Sequence, residues 1–243
     1  MLEITTHRFL FLKRKEFWFY NSERVTKGTY NAFCYSNEKD ACRKKTVLKE
    51  QTSLINLEKS SEELYSKINR TFKYHIHKAE SIGITTHVDY SPTPQICNQI
   101  MSEFSVFANK KQIEWNPNRI KALRKLNKII ISEAFLKEER IVTHVYLHDA
   151  NRVVLLHSYN PKDIADKKMQ GYANKYLHWK EILSFKNFGL KLYDFGGINM
   201  RQHPGISKFK ISFGGEVRDC YSYIEVNPLL TLVVNFYKKL KSR

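Results

Sequence analysis

The stretch 179–215, W-KEILSFKNFGLKL-YDFGG-INMRQHPGIS-KFKISFGG, limits what this chain can fold into more than any other. Trp179, Ile182, Leu183 and Phe185 repeat at the 3-to-4 spacing of one buried helix face. Gly189 follows where a left-handed residue would stop that helix. Leu190, Leu192 and Tyr193 predict a short strand. It runs into Asp194-Phe195-Gly196-Gly197, where the backbone can turn sharply or approach a ligand closely. A carboxylate at a strand end, before paired glycines, is a place for a site; a helix-turn-strand unit closed by a tight turn accounts for the same residues. Two glycine-marked loops are expected next, through Gly205 and Gly214-Gly215.

Other elements follow from spacing. Phe9, Phe11, Phe17 and Phe19 alternate, predicting two strands joined through a charged turn at Lys13-Arg14-Lys15. Residues 29–35 and 47–57 read as strands, 21–28 as a polar turn and 37–45 as a charged loop. Ser60 and Glu63 form a capping box, opening a helix to Ser81 with Leu64, Ile68, Phe72, Ile76 and Ala79 on its apolar face. Its other face is basic, and Arg70 is the best candidate there to grip a phosphate or carboxylate with two hydrogen bonds; a solvated stripe is the alternative. A strand at 84–90 precedes a helix from Pro94 with Ile96, Ile100, Met101, Phe104 and Phe107 inward. Asn116-Pro117 starts the most basic helix, with Arg119, Lys121, Arg124, Lys125 and Lys128 outward. Residues 128–135, 141–148 and 152–159 read as an antiparallel meander with a hairpin turn at 147–151. A strand at 216–226 puts Val217, Tyr221 and Tyr223 on one face, and Asn227-Pro228 caps a last helix whose basic end suits a helix dipole or a membrane surface. Residues 1–50 form a small β appendage and 51–243 the main domain.

The order of Trp179, Ile182, Gly189, Tyr193 to Ile198, Gly205, Ile206, Phe209, Lys210, Phe213, Gly214 and Gly215 resembles the second half of the Fem family. These are the FemABX peptidyltransferases and related Fem-like acyltransferases of the GNAT superfamily. Arg70 to Ala79 echoes that family's basic helix, R-x-x-I-x-K-A. The resemblance covers 140–226 well and 55–140 loosely, and leaves out the first 50 residues. It implies an α/β (α+β) fold: a GNAT-like mixed, mainly antiparallel sheet flanked by helices. It also implies N-acyl transfer. Phe209 and Lys210 would lie beside the transferred acyl group, Phe209 packing on the donor and Lys210 giving charge to the oxyanion. Asp194 would position the acceptor amine or take its proton, or would cap a turn. Lys168-x-x-Gly171-x-Ala173, with Gln170 and Asn174, is similar to the pyrophosphate loop of acetyl-coenzyme A enzymes. Acceptor contacts are expected at Arg70, Trp179, Gly196 and Gly197. The family carries two GNAT-like modules; here the first is reduced to residues 1–50 and the helix at 60–81, so a smaller sugar amine, or a second copy completing the cleft as a homodimer, is expected.

The chain has 243 residues and a net charge of +17. Such a surplus favours a polyanion: a nucleotide-sugar pyrophosphate, an anionic membrane or transfer RNA; a high lysine background is the bland alternative. No signal peptide or membrane span is read, and the late apolar run at 229–234 is too short to cross a bilayer. None of the 4 cysteines pairs as C-x-x-C, so reduced thiols and a cytoplasmic location, at most at the inner membrane face, are expected. The 9 histidines contain no H-E-x-x-H. His75 and His77 point to different helix faces, and no metal is expected. His144, His157 and His178 are base candidates without distinguishing context. The expected donor is acetyl-coenzyme A, another acyl-coenzyme A, or an aminoacyl-transfer RNA. The expected acceptor is a small or lipid-linked sugar or peptide precursor of the cell envelope. The alternatives are a strictly transfer-RNA-dependent aminoacyl transferase and a catalytically inactive, basic nucleic-acid-binding module.

Overall fold

The computed structural model describes residues 1–8, 12–20, 26, 28, 30–36, 47–113, 115–161 and 166–226. The expected turn at 21–28, the loop at 37–45 and the last helix fall largely or wholly outside them. In chain order the elements begin β1 (Leu2–Arg8), β2 (Leu12–Trp18), β3 (Tyr30–Ser36), β4 (Val47–Asn56), α1 (Ser61–Ser66), α2 (Arg70–Ser81), β5 (Ile84–Asp89) and α3 (Pro94–Lys111). They continue α4 (Pro117–Lys125), β6 (Ile129–Leu136), β7 (Glu139–His148), β8 (Arg152–Tyr159), α5 (Lys167–Asn187), β9 (Leu192–Ile198), α6 (Pro204–Ile211) and β10 (Glu216–Val226).

The chain divides into two units, Met1–Glu50 with Asp219–Arg243, and Gln51–Arg218. Residues 219–243, assigned above to the main domain, group with the first unit because β10 pairs antiparallel with β3 from Tyr221 onward. In that unit β1 and β2 are antiparallel and β2 and β3 parallel. The triplet Lys13-Arg14-Lys15 lies inside β2 and not in the turn before it. The strand tolerates these charges because Lys15 meets Glu3 at 2.9 Å and Arg14 meets Glu16 at 3.2 Å. The core of this unit is aromatic: Phe33 stacks on Phe17 and on Tyr223, at 5.0 and 4.4 Å. A register shift between Tyr221 and Tyr223 switches the buried face of β10. Cys220 and Tyr223 are therefore buried while Val217 is exposed, so these residues do not share one face.

In the second unit the strand order is β4-β9-β8-β7-β6-β5. All neighbours are antiparallel except β8 and β9. The expected meander is present as β6, β7 and β8, its turn closed by Asp149 Oδ1, which accepts from the N–H groups of Asn151 and Arg152. A parallel pair needs a crossover, and α5 supplies it, ending before Gly189 at φ +93°. The segment 60–81 is two helices and not one. The Ser60–Glu63 capping box opens α1, and Asn69 opens α2 by accepting from Thr71 N. Gly214 packs into the corner between them: a Cβ there would lie 2.5 Å from Lys67 Cβ. The Asp194-Phe195-Gly196-Gly197 run continues as strand β9 and does not turn, with Gly196 at φ +72°. Residues 204–211, expected as loop, are helix α6, with Pro204 in its first turn. Among the described residues, no helix is long and apolar enough to cross a membrane.

Candidate functional site

β8 and β9 pair over only three positions, Arg152↔Leu192, Val153↔Tyr193 and Val154↔Asp194. Both strands continue beyond this, to Tyr159 and Ile198, without further ladder pairs between them. The sheet thus forks at Asp194. That carboxylate is fully buried. Its Oδ2 accepts from Arg152 Nε at 3.1 Å and Nη2 at 2.5 Å, and its Oδ1 accepts from Gly196 N at 2.8 Å and from the Thr52 hydroxyl. Four donors fill both oxygens. Asp194, expected either to position or deprotonate the acceptor amine or to cap a turn, caps Gly196 N and ties β4, β8 and β9 together at the base of the fork.

Lys210 comes to the same corner from α6. Its Nζ donates to Gly197 O at 2.7 Å. Burial lowers its pKa to about 8, against the opposing pull of the Asp194 carboxylate. Phe209, beside it, packs between the Phe72, Phe213 and His178 rings with centroids 5.3 to 5.5 Å away. Lys175, on α5, holds its ammonium 4.9 Å from the Phe72 ring and 5.6 Å from the Phe209 ring, donates to Gly171 O, and has its pKa lowered by burial. Among the described residues neither lysine has a carboxylate within salt-bridge distance.

Behind Phe209 lies a buried polar network. Glu181 Oε1 accepts from His144 Nδ1 at 2.8 Å; its Oε2 accepts from the Tyr146 hydroxyl at 2.5 Å and from His178 Nδ1 at 3.1 Å. Tyr193 OH lies 2.8 Å from Tyr146 OH and 2.7 Å from His178 Nδ1. Because the Tyr146 proton goes to Glu181, the Tyr193 proton goes to the Tyr146 oxygen. The His178 proton then sits on Nδ1, and Nε2 keeps its lone pair, with no hydrogen-bond partner among the described residues. Burial and the neighbouring His144 push the His178 pKa down to about 4, against the pull of Glu181. Burial opposes ionisation of Glu181, yet the His144 and His178 hydrogen bonds hold its carboxyl well below the usual range. His144, His178 and Glu181 have ligand atoms within 4.8 Å of one another and could hold a cation. The network already uses the Nδ1 atoms of both histidines and both oxygens of Glu181.

The expected donor-binding residues are not a loop. Lys168 to Asn174 form the first two turns of α5. Asp166 caps that helix, its Oδ1 accepting from Lys168 N and Met169 N, so a carboxylate holds the N–H groups that a pyrophosphate was expected to take. Lys168 is exposed, while Gln170 is buried and accepts from Asn160 Nδ2. Gly171 offers its carbonyl to Lys175, Ala173 is in the core, and the Asn174 amide oxygen lies 2.8 Å from His144 Nε2. Arg70 is exposed at the first position of α2, with no ion pair or hydrogen bond to the fork among the described residues. Trp179 packs on Tyr65 at 5.1 Å. His157 is half-buried beside Phe104, with its pKa pushed down to about 4, chiefly by desolvation. Arg152, Thr52, Tyr146, Lys175 and Glu181 were not anticipated. The one available signal was that His178 and Glu181 share the helix face of Ile182 and Phe185, while His144 and Tyr146 sit two apart on one strand face.

No family model matches the chain, and no curated protein matches it. Solved structures do. FemX superposes with a TM-score of 0.57 at 11% identity, over 75% of this chain and 63% of FemX. The C-terminal domain of a protein assigned as a lysylphosphatidylglycerol synthetase from Agrobacterium fabrum gives 0.57 at 12% identity, over 84% and 70% of the two chains. L-PGS from Bacillus licheniformis gives 0.53 at 11% identity, with the same coverages. The chain shares its fold with these proteins, and this fold is the mixed, mainly antiparallel one that the Fem resemblance implies.

Proposed function

We propose that this chain is an acyltransferase that moves an acetyl or aminoacyl group onto an amine of a cell-envelope sugar, peptide or lipid precursor. The observation that carries the reading is the half-buried Lys210 ammonium. It is held by one carbonyl at the end of the fork, with no carboxylate partner among the described residues, beside a histidine that burial keeps neutral. Acyl transfer asks for little more. The acceptor nitrogen attacks the donor carbonyl, a C–N bond forms, and charge collects on the carbonyl oxygen, where Lys210 stabilises it. The amine proton passes to His178 Nε2 or to water. The C–S or C–O bond to the donor then breaks, and the leaving thiolate or alkoxide takes up a proton. Phe209 keeps water from the acyl group.

The choice of donor turns on charge. The net charge of +17 favours an aminoacyl-transfer RNA, and the name of one fold relative, lysylphosphatidylglycerol synthetase, denotes an aminoacylated lipid. The Asp166 cap removes the main local argument for coenzyme A at the start of α5. An acceptor at a membrane surface fits the same surplus of cations. The test is thermal melting of the full chain with acetyl-coenzyme A and, separately, with a charged transfer RNA, followed by acyl transfer from whichever shifts the transition. Transfer that is lost in Lys210→Met supports the reading. Transfer unaffected by that change, or RNA binding with no transfer from either donor, points to a nucleic-acid-binding module.

A further inference from the structure

Away from the fork, α3 and α4 flank a half-open cavity of about 200 Å³ lined by Pro94, Cys97, Asn98 and Met101 from α3 and by Lys121, Arg124 and Lys125 from α4. One wall is neutral and the other is three cations at i, i+3 and i+4, neighbours on one helix face. Among the described residues none of the three has a carboxylate within salt-bridge distance, and Arg124 is half-buried. Asp89 acts electrostatically on Cys97 and accepts from Ser91 N. Placing Arg124 and Lys125 in the last turn of α4 suits the helix dipole. That does not account for Lys121, whose side chain lines the same cavity as Arg124 and Lys125. Such a set repels itself unless an anion enters.

Size narrows the ligand. The cavity is below the roughly 300–1,000 Å³ of sites that enclose a whole cofactor, but well above the roughly 30 Å³ share of one water. We infer that the α3–α4 cavity binds a phosphate or pyrophosphate group through Arg124, Lys121 and Lys125, with Arg124 gripping two oxygens at once. The group arrives as a free anion or as the end of a phosphorylated lipid. The site does not depend on the acyl-transfer reading.

Calorimetry of the full chain with inorganic pyrophosphate tests this, beside flotation with phosphatidylcholine vesicles carrying or lacking phosphatidic acid. Peptide-resolved alkylation of Cys97 reports occupancy from inside the cavity. Pyrophosphate should bind and slow alkylation of Cys97, and Arg124→Met should weaken binding about tenfold or more, with Arg124→Lys in between. Thermal melting shows whether Arg124→Met remains folded; if it does not, Lys121→Met carries the same comparison. Loss of pyrophosphate binding in the variants assigns a free anion, and loss of phosphatidic-acid-dependent flotation alone assigns a lipid headgroup. Neither ligand binding, or both binding equally well to wild type and variants with Cys97 unprotected, overturns the site.

Discussion

Glu181 and Lys210 are two charges taken largely out of water within one region, and the fold treats them in opposite ways. Glu181 is surrounded by His144, Tyr146 and His178, three donors aimed at its two oxygens. Among the described residues Lys210 has one carbonyl, Gly197 O, and no carboxylate. A buried charge whose shell is complete belongs to the architecture; one whose shell is left incomplete is poised for a ligand. The same contrast separates Asp194, filled by four donors, from Lys175, which rests over two phenyl rings.

The largest effect expected from this contrast is on stability. Glu181→Ala strands three buried donors and should cost about 3–5 kcal/mol by urea denaturation, whereas Tyr193→Phe should cost about 1–2 kcal/mol. An equal, small cost for both would mean that the network is not tightly held. Next comes Lys210→Met, which should lower acyl transfer about 100-fold while its melting temperature stays near wild type, the reverse of Glu181→Ala.

The pH dependence sharpens the same division. His178 and His157 have folded pKa values lowered to about 4 from an unfolded value near 6.5. The unfolded chain therefore binds more protons between those limits, so stability should rise with pH from about 4 to about 6.5 and be fully present above that window. Glu181, depressed in the fold, acts in the same sense at still lower pH. Lys210 behaves differently. With its pKa lowered to about 8, it loses its charge as pH rises through that value, and acyl transfer should fall there. In Lys210→Arg, whatever its rate, the downturn should be absent. A rate that climbs through pH 8 in wild type and not in the arginine variant would make Lys210 a base and overturn its assignment as a cation.

The smallest effect is at Lys175. Because its ammonium is desolvated without a counter-charge among the described residues, Lys175→Met should be neutral or stabilising by up to about 1 kcal/mol, read as a denaturation midpoint. A loss of several kcal/mol would place Lys175 with Glu181, among charges the architecture needs.

Sequence patterns reached the local elements well. The capping box at Ser60, the Asn116-Pro117 start of α4, the β6–β8 meander and the stop at Gly189 all depend on neighbours within a few residues, and all are present. One reading that failed involves a partner strand far along the chain, and another a cap only two residues away. Asp194-Phe195-Gly196-Gly197 resembles a turn until β4 pairs alongside and draws it into a strand. The Lys168–Asn174 segment resembles a phosphate loop until Asp166 caps it as helix. The Fem-like order of Trp179 through Gly215 pointed to the right fold.

What the sequence determined alone is periodicity, caps and the glycine positions, because each is fixed by backbone sterics and hydrogen bonds over one or two turns of chain. Only tertiary structure decided which charges are satisfied. Arg152 reaches Asp194 across 42 residues and His144 reaches Glu181 across 37. Whether a carboxylate is a tool or a tie depends on how many donors converge on it, and that count exists only after the strands and α5 have packed.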